Sequence, residues 1–154
     1  MKGEIFYRHG LNFACARCSG CCRYESGFVF LSETDLSVLV VVFNMSVEEF
    51  TATHCRWVPS EDGYGEKLSL KEIPRGGGNF DCIFWKDGCS VYKSRPLQCR
   101  TFPFWDFVLE DEEAWNRTAA QCPGMGKGEL HSFSEIQTYL KERRNHPIIK
   151  RINP

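Results

Sequence analysis

Four cysteines fall within eight positions of this chain, in the stretch CARCSGCC at residues 15–22, and nothing else in its 154 residues restricts folding as much. Thiols this close together end as disulfides, as metal ligands or as redox groups. The opening MKGEIFYRHG lacks the apolar stretch of a secretory signal. The longest apolar run, VLVVVF (38–43), is far short of the roughly 20 residues a spanning helix needs. We therefore expect a cytosolic protein with no membrane partner. In a reducing compartment, clustered thiols bind metal or do redox work more often than they pair, and nine cysteines cannot all pair. A formal net charge of −1 gives no bulk electrostatic case for nucleic acid. With 42% hydrophobic and 25% charged residues, the composition is that of a soluble globular protein.

Local signals predict an α+β fold: one small domain over residues 1–154, with short helices and a β-hairpin organised around cysteine-ligated metal. GFVFL (27–31) reads as a short buried strand. SETD (32–35) and SVEE (46–49) are capping-box sequences that open helices running to about Asn44 and His54. Residues 59–79 read as loop around a KLSLKEI strand, with RGGGN (75–79) as a flexible turn. DCIFWKDGCSVY (81–92) reads as a hairpin about Asp87-Gly88. SRPLQCR (94–100) predicts one helical turn capped by Ser94, and TFPFW an extended segment that packs into the core. EDEEAWNRTAAQ (110–121) suits a helix with a solvated acidic first turn, ended by Pro123-Gly124. A last helix over about 133–145 starts at SFSE, with Phe133, Ile136 and Leu140 along one side.

The thiols are Cys15, Cys18, Cys21, Cys22, Cys55, Cys82, Cys89, Cys99 and Cys122. A C-x2-C step lets two thiolates converge on one ion across a short turn, and here two such steps overlap. Soft thiolates select zinc or an iron–sulfur cluster over magnesium or calcium. Sulfurs on tetrahedral zinc stand about 3.8 Å from one another. With a two-residue turn at Asp87-Gly88, Lys86 faces Cys89, and Cys82 lies about 13 Å from Cys89 along the ladder, too far for one ion. Adjacent Cys21 and Cys22 tend to point apart. The expectation is two sites of four cysteines, or one small polynuclear site, with Cys21 and Cys22 on different metals.

The segments FACARCSGCC (13–22), GFVFLSETDL (27–36), FDCIFWKDGCSVYKSRPLQCRTFPF (80–104) and CPG (122–124) occur in this order. In them the chain resembles the CxxCxxCC cysteine-cluster family, bacterial proteins described as zinc- or iron-chelating, with the motif core over 13–124. The resemblance implies as ligands Cys15, Cys18, Cys21, Cys22, Cys82, Cys89, Cys99 and Cys122. It implies metal chelation but no settled reaction. Zinc is favoured, since eight ligands divide evenly into two four-thiolate sites and adjacent cysteines are awkward for one cubane. An iron–sulfur cluster is the alternative, because Cys15, Cys18 and Cys21 fit the first three positions of a ferredoxin run and Cys122-Pro123 offers a remote fourth ligand.

Cys55 stands outside the pattern and reads as a small buried hydrophobe, although His54 beside it would make a mixed ligand pair. His9, His131 and His146 lack ligand spacing and read as surface or capping residues. Arg95 and Arg100 flank Cys99 and either offset thiolate charge or form ordinary salt bridges. No Walker loop, G-x-G-x-x-G or nucleophile elbow is present. The leading reading is thus a metal-binding protein that supports a protein partner or shuttles metal, without a recognised catalytic grouping. An iron–sulfur oxidoreductase or accessory to a modification enzyme, and a thiol redox sensor built on Cys21-Cys22, are the other classes.

Overall fold

The computed structural model describes residues 3–152, so the ends of the 1–154 span lie outside the described residues. In chain order the elements are strands β1 (Leu11–Phe13) and β2 (Arg23–Tyr24), then helices α1 (Glu33–Val42) and α2 (Val47–His54). Strands β3 (Cys55–Pro59), β4 (Glu66–Leu70), β5 (Glu72–Gly76) and β6 (Asn79–Cys82) follow. Helices α3 (Leu97–Thr101) and α4 (Glu112–Ala119), strand β7 (Met125–His131), helix α5 (Phe133–Asn145) and strand β8 (Lys150–Arg151) complete the fold. The fold is mixed α+β, with short helices and small antiparallel sheets.

The chain forms two compact units. One combines the residues up to Gly20 with Thr101–Asn145; the other runs from Cys21 to Arg100 and takes in the chain from His146. In the first unit β1 pairs with β7, and the core is Tyr7, Phe104, Val108, Leu109, Trp115, Met125, Ile136 and Leu140. Asp111 caps α4 by accepting from the Ala114 amide at 2.7 Å, and Ser132 and Glu135 form the capping box of α5. The run after Pro123 forms β7, whose partner β1 lies over a hundred residues away. TFPFW is a series of turns rather than extended, since the amides of Phe104 and Trp105 bond back to Thr101 and Pro103. Phe104 is core, whereas Phe107 is exposed.

In the second unit, GFVFL runs beside β4: Leu31 donates to Leu68, and Leu70 donates to Val29. The sheet β3-β4-β8 carries Leu68 and Leu70 into a core with Leu31, Leu36, Leu39, Phe50 and Phe84. The strand expected at KLSLKEI is divided between β4 and β5, and β5 with the start of β6 takes up the end of the loop expected over 59–79. RGGGN turns the β5–β6 hairpin, with Gly76, Gly77 and Gly78 all in the left-handed region that their missing Cβ permits. Both predicted capping boxes form, Ser32 with Asp35 and Ser46 with Glu49.

Asp35 does more than its box requires. Its Oδ2 accepts from the Ser32 amide and hydroxyl at 2.9 and 2.8 Å, while Oδ1 accepts from the Leu97 amide at 2.8 Å. One buried carboxylate therefore caps α1 and also the first residue of α3, the helix that bears Cys99. Ser94, the expected cap, lies in a preceding 3-10 turn (Tyr92–Ser94). Asp35→Ala removes the carboxylate half of the α1 capping box and the acceptor of the Leu97 amide, leaving buried donors unpaired, so it is expected to lower unfolding free energy by about 2–4 kcal/mol. Denaturant titration at fixed metal content measures this; Asp35→Asn, which keeps one carbonyl acceptor, should cost clearly less.

Candidate metal centre

The hairpin expected over 81–92 is not formed as two long arms. Trp85 bridges Cys89, so three residues rather than two make the turn, with Lys86 donating to Gly88 at 2.8 Å. Asp87 and Gly88 both take positive φ, as the turn dipeptide implies, but the register is shifted. The chain then closes on itself, because Phe84 O accepts from the amide and hydroxyl of Ser90, and Trp85 donates back to Cys82. β6 uses its ladder for β5 and β2 instead. The 13 Å separation of Cys82 and Cys89 therefore does not apply, since it assumed a long ladder.

Pairing of β2 with β6 sets Arg23 opposite Asp81 and Tyr24 opposite Phe80. Cys22 is thereby opposite Cys82, and the Cys82 amide donates to Cys22 O at 2.6 Å. Cys21 and Cys22 do not point apart: their sulfurs stand 3.7 Å from each other. That is close to the spacing of two thiolates on one tetrahedral ion. The Cys22 thiol donates to Cys21 and holds the Cys21 pKa low despite burial, with Arg95 helping. The same bond, then burial and the charges of Cys21, Cys99 and Cys82, push Cys22 up.

Burial pushes the Cys82 thiol up to about 11, against a bond from the Phe84 amide, and Cys89 and Cys21 add to the rise. Burial also raises Cys99, with Cys82, Cys21 and Cys89 contributing and Arg95 opposing. These mutual effects place Cys21, Cys22, Cys82, Cys89 and Cys99 in one electrostatic neighbourhood of the second unit. Arg95, its Nε on Tyr92 O at 2.9 Å and its guanidinium over the Tyr92 ring, is the cation of this group. Arg100 directs its Nε to Arg95 O at 3.0 Å.

The first unit holds Cys15, Cys18 and Cys122. The Arg17 amide donates to Cys15 Sγ at 3.4 Å, and the Gly20 amide to Cys18 Sγ at 3.5 Å. With Phe84 on Cys82, three thiols thus receive an amide from the residue two positions on. Arg17 and Ser19 adopt positive φ, at 52° and 65°. Two non-glycine residues in this region within one thiol run mark a backbone wrapped for a site rather than for regular structure. Gly124 brings Cys122 close: a Cβ there would lie 2.1 Å from Ala14 O, a contact no side chain tolerates.

Cys55 is 4% exposed in the apolar core, where burial raises its thiol to about 11. His54 stacks on Phe50 at 4.7 Å and lies against Phe43 and Phe84. Burial first, then Lys71 and Lys86, lowers its pKa. His131 is no surface residue: its ring packs with Phe13, Phe104 and Tyr139, and Nε2 lies 3.1 Å from Phe13 O. His9 lies 2.9 Å from Arg8 Nε, and His146 lies 3.3 Å from Thr34 Oγ1. Among the described residues no three histidine, cysteine, aspartate or glutamate side chains close around a single ion-sized point. The donor set is nevertheless the soft one that zinc and iron favour, and amide donors already face several sulfurs.

Sequence reasoning missed Arg23, Asp81 and Arg75. Asp81 is 1% exposed and accepts from Arg23 Nε at 3.2 Å and from Arg75 Nε at 2.8 Å. A charged residue beside each of Cys22 and Cys82 was the available signal, but the register that joins them was not. Gly124→Ala is expected to cost about 1–3 kcal/mol by overpacking. It should also speed alkylation of Cys15 and Cys18 relative to Cys89, as read by peptide mass spectrometry.

No solved structure matches this chain. No single helix among the described residues is long and apolar enough to cross a membrane. The sequence model of a family described as "Putative zinc- or iron-chelating domain" matches residues 14–123, most of the chain and a span that contains every cysteine. The match covers most of the chain, and the chain belongs to the CxxCxxCC family of zinc- or iron-chelating domains.

Proposed function

We propose that this protein is a metal-binding protein whose eight cysteines, Cys15, Cys18, Cys21, Cys22, Cys82, Cys89, Cys99 and Cys122, chelate zinc at more than one site. The observation that carries this reading is the five-thiol neighbourhood of the second unit. Thiols gathered this closely are poor neighbours as thiolates unless a cation takes their charge, and thiolate-bound zinc supplies that charge. The first unit contributes three further thiols, with amides on two of their sulfurs. Because the family match runs through segments of both units, the chain is read as one metal-binding domain.

Zinc is preferred over an iron–sulfur cluster because the paired Cys21 and Cys22 sulfurs suit single ions better than one cubane. A catalytic zinc usually keeps an open position and draws histidine or carboxylate ligands. Here thiols alone suffice, and the histidines have other partners. We therefore read the metals as structural, in a protein that serves a partner or carries metal rather than one that catalyses a reaction.

Anaerobic purification with elemental analysis and an ultraviolet–visible spectrum tests the proposal. The expected outcome is a colourless protein with about two zinc ions per chain. Brown protein with iron, inorganic sulfide and a reducible chromophore would replace it with the iron–sulfur reading, and metal-free folded protein would overturn both.

Apparent zinc affinity should rise with pH. Cys82, at about 11 without metal, is protonated at neutral pH, so binding must displace a proton. Between pH 6 and 8 the affinity should increase about tenfold per unit for each proton displaced, measured by chelator competition. Cys99→Ser should lower zinc content in the same assay, whereas Cys55→Ser should leave it unchanged.

A further inference from the structure

Asp81 lies on β6, the central strand of the sheet β2-β6-β5, and divides its two carboxylate oxygens between the flanking strands. Oδ1 takes Arg23 of β2, and Oδ2 takes Arg75 of β5. A carboxylate 1% exposed must be matched by nearby cations, and the two arginines can reach it only with the strands in their present alignment. Successive residues in a strand face opposite sides. Pairing Arg23 with Asp81 on one face therefore sets Cys22 against Cys82 on the other. A slip of β2 by one residue would send the thiols to opposite faces and leave Asp81 with Arg75 alone.

Arg23 reaches further. Its guanidinium stands 3.8 Å over the ring of Trp85, the residue that bridges Cys89 and donates to Cys82 O. One side chain thus joins the strand that follows Cys21-Cys22, the residue that precedes Cys82 and the loop that ends at Cys89. None of these three groups is itself a soft ligand for zinc.

We propose that the Arg23–Asp81–Arg75 triad is a register lock whose role is to present Cys22, Cys82 and Cys89 together to a metal ion. This rests on the metal-chelating reading above, and it assigns to these residues a positioning role toward that site. Outer residues that orient ligands commonly change metal affinity by about 10–100-fold when altered, without changing the ligands.

The test is an anaerobic cobalt(II) titration of the full chain, with a chromophoric chelator as competitor. Asp81→Asn should weaken at least one class of bound cobalt about tenfold or more. Its thiolate-to-cobalt absorption at saturation should match the unsubstituted protein, because every sulfur remains. Glu66→Gln is the control, since it breaks the Glu66–Arg151 ion pair of the same unit, which borders no cysteine. It should leave affinity within about twofold. Should Asp81→Asn fail to fold, Arg23→Gln, which keeps Asp81 paired with Arg75, must show the same selective loss.

Two results would overturn the lock alone: cobalt held as tightly by the triad variant as by the unsubstituted protein, or equal weakening by Glu66→Gln. The latter would reduce the triad to general stabilisation. Absence of any thiolate-to-cobalt band in the unsubstituted protein would overturn the metal reading, and the lock with it.

Discussion

Five thiols in one small unit cannot all lose their protons unless a cation takes up the charge. Cys21, Cys22, Cys82, Cys89 and Cys99 already act on one another, and burial disfavours the charged form of most of them. Arg95 offsets part of this, but one guanidinium cannot balance a set of thiolates. The remainder of the second unit serves the same constraint. Asp35 ties the helix of Cys99 to α1, the β2–β6 register aligns Cys22 with Cys82, and the Phe84–Ser90 closure brings Cys89 back toward Cys82.

The two units reach their thiols by different means. In the second, regular pairing and buried carboxylates place cysteines at strand ends and in a short helix. In the first, little regular structure surrounds Cys15 and Cys18, and backbone amides with left-handed residues shape the loop instead. Gly124 lets the Cys122 segment approach that loop more closely than any residue with a side chain could. Both solutions keep the eight sulfurs exposed or half-buried, with Cys82, Cys89 and Cys122 against the edges of the apolar cores.

What could be read from the sequence followed the range of each interaction. Helix starts depend on a few adjacent residues, and the boxes at Ser32, Ser46 and Ser132 were legible for that reason. β1 and β7 were not, because MGKGELH has strand character only opposite a partner far away in the chain. The turn at Asp87-Gly88 was located by its residues, but its length was not, and one residue of register changed which thiols are neighbours. His131 lacked any local sign of its aromatic surroundings. The cysteines declared the soft-ligand chemistry through their spacing, whereas Asp35, Asp81 and the arginines that arrange them act across strands and helices that no short motif encodes.

The central claim is that sulfur, rather than nitrogen or oxygen, surrounds the bound ion. X-ray absorption at the metal edge of anaerobically purified protein tests this most directly. The account predicts a single dominant shell of about four sulfur atoms at about 2.3 Å. A first shell of nitrogen or oxygen near 2.0–2.1 Å would contradict it, because it would place the metal on groups other than the cysteines that organise this fold.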